Sequence, residues 1–241
     1  MNKNESVWQI GENAKKFLDC ERDAVPGAEL QHEIIASIIG QWCNNPSGIL
    51  DLGCGDGILG RFLLDRFPSA SCVLMDFSDT MLDAALGKLG DLPRAVLLKA
   101  DFGLPEWLSC IESYKPFDII ISGFAIHHQP DRRKRKLFSE IHDLLSPGGV
   151  FLNLEHVASG TPAVKKLFEE FYIDHLHEFS KKSDPDANRV DSANIYRNRP
   201  DKDEDKLASV DEQCRWLRES GFTDVDCFFK IFEIAIYGGR K

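Results

Sequence analysis

The feature that most constrains this chain is an apolar segment that runs directly into three glycines on alternate positions, within residues 49–57. A helical pattern over residues 58–67 follows, so the stretch predicts a buried strand, a tight turn and a helix start. Glycine allows positive φ and has no Cβ, and a helix start offers free N–H groups, so a ligand can lie against this backbone. Asp51 closes the strand, at the edge where open α/β sheets bind ligands.

Two nucleotide-binding motifs compete for this turn. The dinucleotide fingerprint G-x-G-x-x-G needs a glycine where the chain has Ile58. The observed spacing, an acid two residues before G-x-G-x-G, resembles the first motif of the class I S-adenosylmethionine (SAM) methyltransferases. Its positions are filled by Asp51, Gly53, Gly55 and Gly57. The resemblance implies that SAM is the cofactor and S-adenosylhomocysteine the product, with an NAD enzyme as the weaker alternative.

Length, charge and cysteine usage limit the class of protein. The 241 residues allow one large domain, or one domain with an insertion. The net charge of −10 disfavours general binding to nucleic acid or anionic membranes, and no apolar run approaches a membrane span. The start of the chain has no signal-type apolar region. The seven cysteines include no C-x-x-C pair, so we expect a cytoplasmic protein without a zinc site or disulfide framework.

Strand and helix patterns alternate along most of the chain, which predicts a doubly wound, mostly parallel α/β sheet. The predicted strands are 49–52, 71–76, 95–100, 117–122, 150–155, 225–231 and 232–237. The predicted helices are 30–42, 57–67, one capped by Ser78, one capped by Asp131 and ending at Leu145, 162–180 and 210–220. The methyltransferase resemblance implies a Rossmann-like, seven-stranded sheet of order 3-2-1-4-5-7-6 that ends in a hairpin.

Two segments lie outside the recognised motifs. Residues 1–45 have helical patterns and predict an N-terminal cap on a SAM-binding domain that spans residues 46–241. Residues 157–209 form an insertion after the fifth strand, helical in its first half, whereas residues 181–206 are dense in charge and predict a mobile or loosely packed stretch. Such segments form the substrate side in the resembled family, so we predict that the insertion is a lid over the acceptor.

The resemblance also implies which side chains hold the nucleoside half of SAM. Asp76 ends the second strand, where a carboxylate accepts charge-assisted hydrogen bonds from both ribose hydroxyls. Phe77 and Met81 would flank the adenine. Asp101 and Phe102 end the third strand, where an acid accepts from the adenine amino group and the next N–H donates to the ring. The alternatives are a surface acid at position 76 and a helix-capping acid at position 101.

The end of the fourth strand touches the methionine half of SAM and faces the acceptor in the resembled family. Ser122 is therefore included among the cofactor-binding residues, together with Cys54 in the glycine turn. His127 and His128 are candidate general bases, because imidazole titrates near neutral pH; the alternative is packing and capping. No Asn-Pro-Pro-Tyr motif is present, which disfavours methylation of an adenine or glutamine amino group.

Two further patterns of charged or metal-binding residue types could indicate a metal site or a nucleic-acid surface. His175 and His177 lie two positions apart on a predicted helix and do not share a face, and no third ligand has useful spacing, so no metal site is predicted. Residues 132–136 are five consecutive basic residues at a helix start. They could attract an acidic substrate or RNA phosphate, but a solvated face that offsets nearby acids is the favoured interpretation.

The combined prediction is a SAM-dependent methyltransferase that moves the methyl group to a small-molecule acceptor by in-line displacement, as a monomer or homodimer. Carboxy-SAM synthase of tRNA wobble modification is the near alternative, since its C-terminal region resembles residues 207–241 in outline. That enzyme has a Tyr after a Pro-Gly pair, where this chain has Ala28. A non-catalytic SAM-fold partner protein is the third possibility, although such modules usually lose the motif glycines, which are intact here.

Overall fold

The computed structural model describes residues 25–199 and 201–241, and the helical patterns predicted before residue 25 lie outside that part of the chain. A seven-stranded sheet of order β3-β2-β1-β4-β5-β7-β6 forms its centre, which confirms the predicted fold class and strand order. The strands are β1 Gly48–Leu52, β2 Ser71–Asp76, β3 Ala95–Lys99, β4 Phe117–Gly123, β5 Leu145–His156, β6 Thr223–Ile231 and β7 Ile234–Arg240.

Helices cover the sheet on both faces. They are α1 Ala28–Trp42, α2 Ile58–Arg66, α3 Asp79–Leu89, α4 Trp107–Ile111, α5 Asp131–Leu144, α6 Pro162–Ser180, α7 Arg189–Arg197 and α8 Val210–Glu219. Two 3₁₀ turns, Ile126–His128 and Lys202–Glu204, lie in the connections. Among the described residues, no helix combines the length and apolar character that a membrane crossing needs.

The parallel part of the sheet forms because its strands are apolar on both faces. β1 pairs in parallel with β2 and β4, with Ile49 opposite Ile119. Along β4, Ile120 packs into the apolar cluster on one face, and Ile119 and Ile121 pack into the cluster on the other. Each buried isoleucine contributes about 1.5–3 kcal/mol relative to an exposed one. The central strands are therefore fixed by burial, and their carboxyl ends meet at one edge.

The antiparallel end of the sheet is the predicted hairpin. β7 pairs antiparallel with both β5 and β6, so it lies between them. Tyr237 of β7 is fully buried opposite Asn153 of β5. The C-terminal strands thus reach the interior of the domain next to β5.

Three local expectations need correction. Pro130, rather than Asp131, is the N-cap of α5; Asp131 is its first helical residue. β5 begins at Leu145 because that residue pairs with Phe117, ahead of the turn that we expected to precede the strand. Within the stretch that we expected to be loosely packed, α7 forms over Arg189–Arg197 and packs on α6 through ion pairs from Arg189 to Glu170 and Asp174.

Candidate functional site

The glycine turn between β1 and α2 folds over the end of β2. The N–H groups of Gly53 and Cys54 both donate to the carbonyl of Met75, at 2.8 and 2.9 Å. Gly53 has φ of 71°, and a Cβ there would lie 2.5 Å from the Cβ of Ala125. Only glycine fits this position, because the turn passes directly against the segment after β4. The two strand ends and the turn are thereby held together.

Above the turn there is room for a ligand. Gly55 has φ of 55°, and the nearest atom to a Cβ there would be the sulfur of Met81, at 4.0 Å. Gly57, the residue before α2, is its N-cap. An open face at Gly55 beside the positive end of a helix dipole fits an elongated polar ligand lying along the backbone.

Asp76, the last residue of β2, lies against the glycine turn. Its two carboxylate oxygens accept from the N–H groups of Gly55 and Ser78, each at 2.9 Å. Ser78 caps α3, and Met81 is buried one turn into that helix. The carboxylate therefore joins the glycine turn to the start of α3, at the height where the resemblance places the ribose.

The third-strand residues lie beside it. An oxygen of Asp101 accepts from the N–H of Gly103 at 2.7 Å, which fixes the turn after β3. The side chain of Phe102 is buried, its ring lies next to Gly53, and its carbonyl accepts from Nε of Arg133 at 2.8 Å. Met81 and Phe102 thus supply apolar surface beside the turn, which fits the nucleoside of SAM, and a contact of Phe77 with the adenine stays a prediction.

Three predicted cofactor residues make bonds within the fold. Asp51 is buried and accepts from the N–H of Gly60 in α2 at 2.8 Å. Ser122 is fully buried, and its hydroxyl donates to the carbonyl of Leu52 at 2.7 Å. Cys54 is also buried. Asp51 and Ser122 therefore fasten β1 to its neighbours at the carboxyl edge, and their contact with SAM stays a prediction.

After the end of β4, a buried polar cluster surrounds the predicted histidines. His127 donates its backbone N–H to Oε2 of Glu155 at 3.0 Å, and its Nδ1 lies 2.6 Å from Oε1 of the same carboxylate. The other ring nitrogen, Nε2, lies 3.5 Å from Oδ1 of Asp205. Glu155 projects from β5 and Asp205 follows the second 3₁₀ turn, so three elements converge on one imidazole.

The two histidines differ in their electrostatics. Burial alone would lower the pKa of His127, but the carboxylates of Glu155 and Asp205 outweigh it and raise the pKa to about 9. Burial and the neighbouring charge of His127 lower the pKa of His128 to about 2. Burial opposes ionisation of Asp205, yet hydrogen bonding and charge from His127 lower its pKa to about 2. His127 and Asp205 are therefore a charged pair beside a neutral imidazole.

A second histidine–carboxylate pair adjoins the first. Nδ1 of His156 lies 3.8 Å from Oδ2 of Asp205, and its Nε2 lies 3.0 Å from Oε2 of Glu233. Arg199 donates from Nη2 to Oδ2 of Asp205. Asp205 is consequently held from one side by an arginine and faced from the other by histidines.

A cavity of about 600 Å³ opens next to this cluster. Its wall contains His156, Asp205 and Glu233, together with residues at the start of α6 and with Tyr196, Arg199 and Lys202. The insertion after β5 therefore supplies much of the wall of a space large enough for a metabolite-sized molecule.

Apart from His127 and His128, the residues of this cluster were not predicted from the sequence. Glu155 had one usable signal, since an acid at the end of an apolar strand is rarely buried without a partner. Asp205 and Arg199 lie in a charge-dense stretch where no residue is distinguished by its neighbours. Their placement depends on how that stretch folds back onto β5.

The basic run at residues 132–136 is largely occupied by contacts within the domain. Arg133 donates to Glu140 at 2.6 Å, and Lys134 is fully buried with its ammonium on the carbonyl of Lys206. Arg135 lies over the ring of Trp216. The ion pairs to Glu140 agree with the favoured interpretation of a solvated face that offsets nearby acids, but the buried Lys134 is an exception to it.

Comparisons with known proteins show which domain the central part of the chain resembles. Residues 49–149 match the model of the methyltransferase domain. Malonyl-[acyl-carrier protein] O-methyltransferase 1 of Ilyobacter polytropus is 34% identical over 104 residues, which are 42% of this chain and 35% of that protein. The chain thus spans about a third of that relative's length.

A second relative matches over a longer range. Carboxy-S-adenosyl-L-methionine synthase of Geobacter metallireducens is 22% identical over 227 residues, covering 91% of this chain and 86% of that protein. Among solved structures, human N-acetylserotonin methyltransferase in complex with SAM superposes with a TM-score of 0.60 at 16% identity, covering 96% of this chain and 56% of that one. The structural likeness shows the fold. Residues 49–149 thus match the methyltransferase domain, and the filled glycine motif and the observed strand order agree with the class I SAM-dependent methyltransferase fold.

Proposed function

We propose that this protein binds SAM at the glycine turn and transfers its methyl group to a small-molecule acceptor. The observation that carries the proposal is the arrangement at the end of β1 and β2. Gly55 leaves space above the turn, and Asp76 lies against the same turn, bonded to the Gly55 N–H. This is the shape and polarity that a ribose with an adjoining polar tail requires.

In this proposal Asp76 binds the ribose hydroxyls, and Phe77, Met81 and Phe102 enclose the adenine. Asp101 accepts from the adenine amino group. The methionine half of SAM extends from the glycine turn toward the segment after β4. Gly53 makes that path continuous, since it lets the turn lie directly against Ala125.

SAM, when bound, supplies a methyl group on a sulfonium centre that departs as a neutral thioether. The protein's task is then to position the acceptor nucleophile in line and to exclude water. The residues after β5 line the cavity, and the segment after β4 contacts Asp205 in its wall, so we assign these two elements that task. A general-base role for His127 and His128 stays a prediction, and the raised pKa of His127 counts against it as the base at neutral pH.

The acceptor is proposed to enter the cavity beside His156 and Asp205. Its volume of about 600 Å³ fits a small molecule, and the insertion over residues 157–209 contributes one wall. In this arrangement, closure of the insertion would isolate the acceptor from water.

Carboxy-SAM synthesis is the second candidate, favoured by the extent of the match. Three carboxy-SAM synthases align with 80–91% of this chain, whereas four malonyl-[acyl-carrier protein] O-methyltransferases align with 40–49% of it. Ala28 stands where the resembled synthase has its tyrosine, which counts against this activity.

Calorimetry and a methyl-transfer assay test the proposal together. We expect saturable binding of SAM and S-adenosylhomocysteine and none of NAD. Radiolabelled SAM incubated with a cell extract should label a small molecule, identifiable by its gain of one methyl group. A SAM-derived product carrying an added carboxyl group would instead establish the second candidate. Binding of NAD without binding of SAM would overturn both.

A further inference from the structure

The acceptor-side cluster has a geometry that methyl transfer does not require. Oδ1 of Asp205 lies 3.5 Å from Nε2 of His127 and 3.9 Å from Nδ1 of His128. One donor atom from each residue lies within 4.8 Å of the other two. Two donors bound to one tetrahedral ion at about 2.0 Å are about 3.3 Å apart. Small side-chain movements would therefore bring all three within bonding distance of a shared ion.

We propose that His127, His128 and Asp205 bind one divalent transition-metal ion, with Zn²⁺ as its representative. The donor set decides the class of metal. Two imidazole nitrogens and one carboxylate oxygen suit first-row transition metals, whereas Mg²⁺ and Ca²⁺ favour sites built from oxygen alone. Three protein ligands leave at least one coordination position for water or another small ligand.

The surroundings of His127 support this assignment. A metal-binding histidine commonly donates its second ring nitrogen to a carboxylate, which fixes the ring and its tautomer. His127 has this arrangement, since Nδ1 lies 2.6 Å from buried Glu155 while Nε2 points toward Asp205. Glu155 is itself held by the backbone N–H groups of His127 and His156. The ring is therefore fixed in the orientation that a metal would need.

The surroundings of Asp205 complete the outer layer. Arg199 bonds to Oδ2, so Oδ1 is the oxygen directed at the two histidines. His156 lies on the Oδ2 side at 3.8 Å, with its other nitrogen on Glu233. Arg199 thus orients the Asp205 carboxylate, and Glu233 orients the neighbouring His156 ring; of these residues, only Asp205 is a proposed ligand.

The charge balance favours a cation. Glu155, Asp205 and Glu233 contribute three carboxylates, and Arg199 is the guanidinium that contacts one of them. The exposed ammonium of Lys206 lies at the carbonyl of His128. With neutral imidazoles, the ionised carboxylates outnumber these two cations. A divalent ion would offset that excess.

The cavity gives an ion a way in. Asp205 and His156 are both part of the cavity wall, so the carboxylate that would bind the metal is reached from solvent. A metal site needs such an entry path as well as a matching ligand set.

Metal titration of the untagged chain, after removal of bound metal with a chelator, tests the proposal. Isothermal calorimetry with Zn²⁺ should show one ion per chain with micromolar or tighter affinity. Asp205→Asn, and separately the double variant His127→Asn/His128→Asn, should weaken binding by more than the ~10–100-fold that loss of an outer hydrogen bond costs. The matched control is His175→Asn/His177→Asn, which removes two histidines from α6 and should leave the affinity unchanged.

X-ray absorption of the wild-type zinc complex gives a second readout that needs no variant. Imidazole ligands at about 2.0 Å are expected. Affinity lost only in the α6 control, or a spectrum with oxygen ligands alone, would identify adventitious surface binding and overturn the site. Absence of saturable binding by the wild-type chain would leave His127 and Asp205 as a plain ion pair. None of these readouts depends on methyl transfer, so they stand apart from the proposed function.

Discussion

Asp76 carries two tasks at once, because the same carboxylate holds the glycine turn and faces the proposed ribose position. Its oxygens accept from the N–H groups of Gly55 and Ser78, so the turn and the start of α3 move together with it. A residue so placed orients the ligand through bonds that already exist in the fold. A substitution that tests ligand binding must therefore keep the bonds that Asp76 makes within the fold.

Asp76→Asn is the appropriate change, since the amide keeps one acceptor for the turn but loses the charge. Each charge-assisted hydrogen bond contributes about 1.5–3 kcal/mol, so SAM affinity should fall by about tenfold or more. Calorimetry measures the fall, and thermal unfolding reports whether the turn survives. Asp79→Asn is the control, because that carboxylate is exposed in the next helix and pairs with Lys99. Equal affinities for the two variants would remove Asp76 from the ribose site.

At the scale of elements, the strands were predictable from sequence and the docking of the insertion was not. β1 and β4 show continuous apolar runs, and burial on both faces of a parallel sheet makes such runs unambiguous. α7 has no comparable signal, because its residues are largely polar and its place on α6 depends on ion pairs across distant positions. The same limit hid Asp205, whose partners come from the 3₁₀ turn after β4, from β5 and from the segment after α7.

The exposed ion pairs between α7 and α6 allow a test of whether the insertion acts as a lid. Arg189 and Arg197 join α7 to acidic residues of α6 through exposed ion pairs, which water and salt screen. Limited proteolysis around residues 183–205 should therefore slow when SAM and the acceptor, or their products, are added. Arg189→Gln should speed cleavage in the absence of ligand. Arg215→Gln, in exposed pairs of α8, should not. Ligand-independent cleavage would leave the segment as a static wall.

At the scale of the whole molecule, charge argues for a small acceptor. The chain carries a net charge of −10, and its main basic run is partly neutralised within the fold by Glu140 and partly buried. Long-range repulsion of polyanions is the expected result. The net charge follows directly from the sequence, but which basic side chains remain exposed does not. Lys134, for example, is buried because its ammonium contacts the segment after α7.

An electrophoretic shift with bulk tRNA at physiological salt checks this expectation. We expect no retention at micromolar protein, because few phosphates could be neutralised at once. The informative variant replaces Arg132, Arg135 and Lys136 by glutamine, which removes the exposed members of the run. Salt-sensitive, sub-micromolar retention that this variant abolishes would point to an RNA acceptor. SAM affinity should be the same in both proteins.

The buried chain of polar groups behind His127 has a consequence for recombination among relatives. Gln213 of α8 accepts from the hydroxyl of Tyr237, which accepts from Asn153, whose amide lies 3.4 Å from Glu155. A chimera that joins the SAM-binding half of one protein to the terminal hairpin of another would replace half of this chain of bonds. Such hybrids should fold around an intact glycine turn yet misorient His127, so functional exchange would require the segments after β4 and the last two strands to travel together.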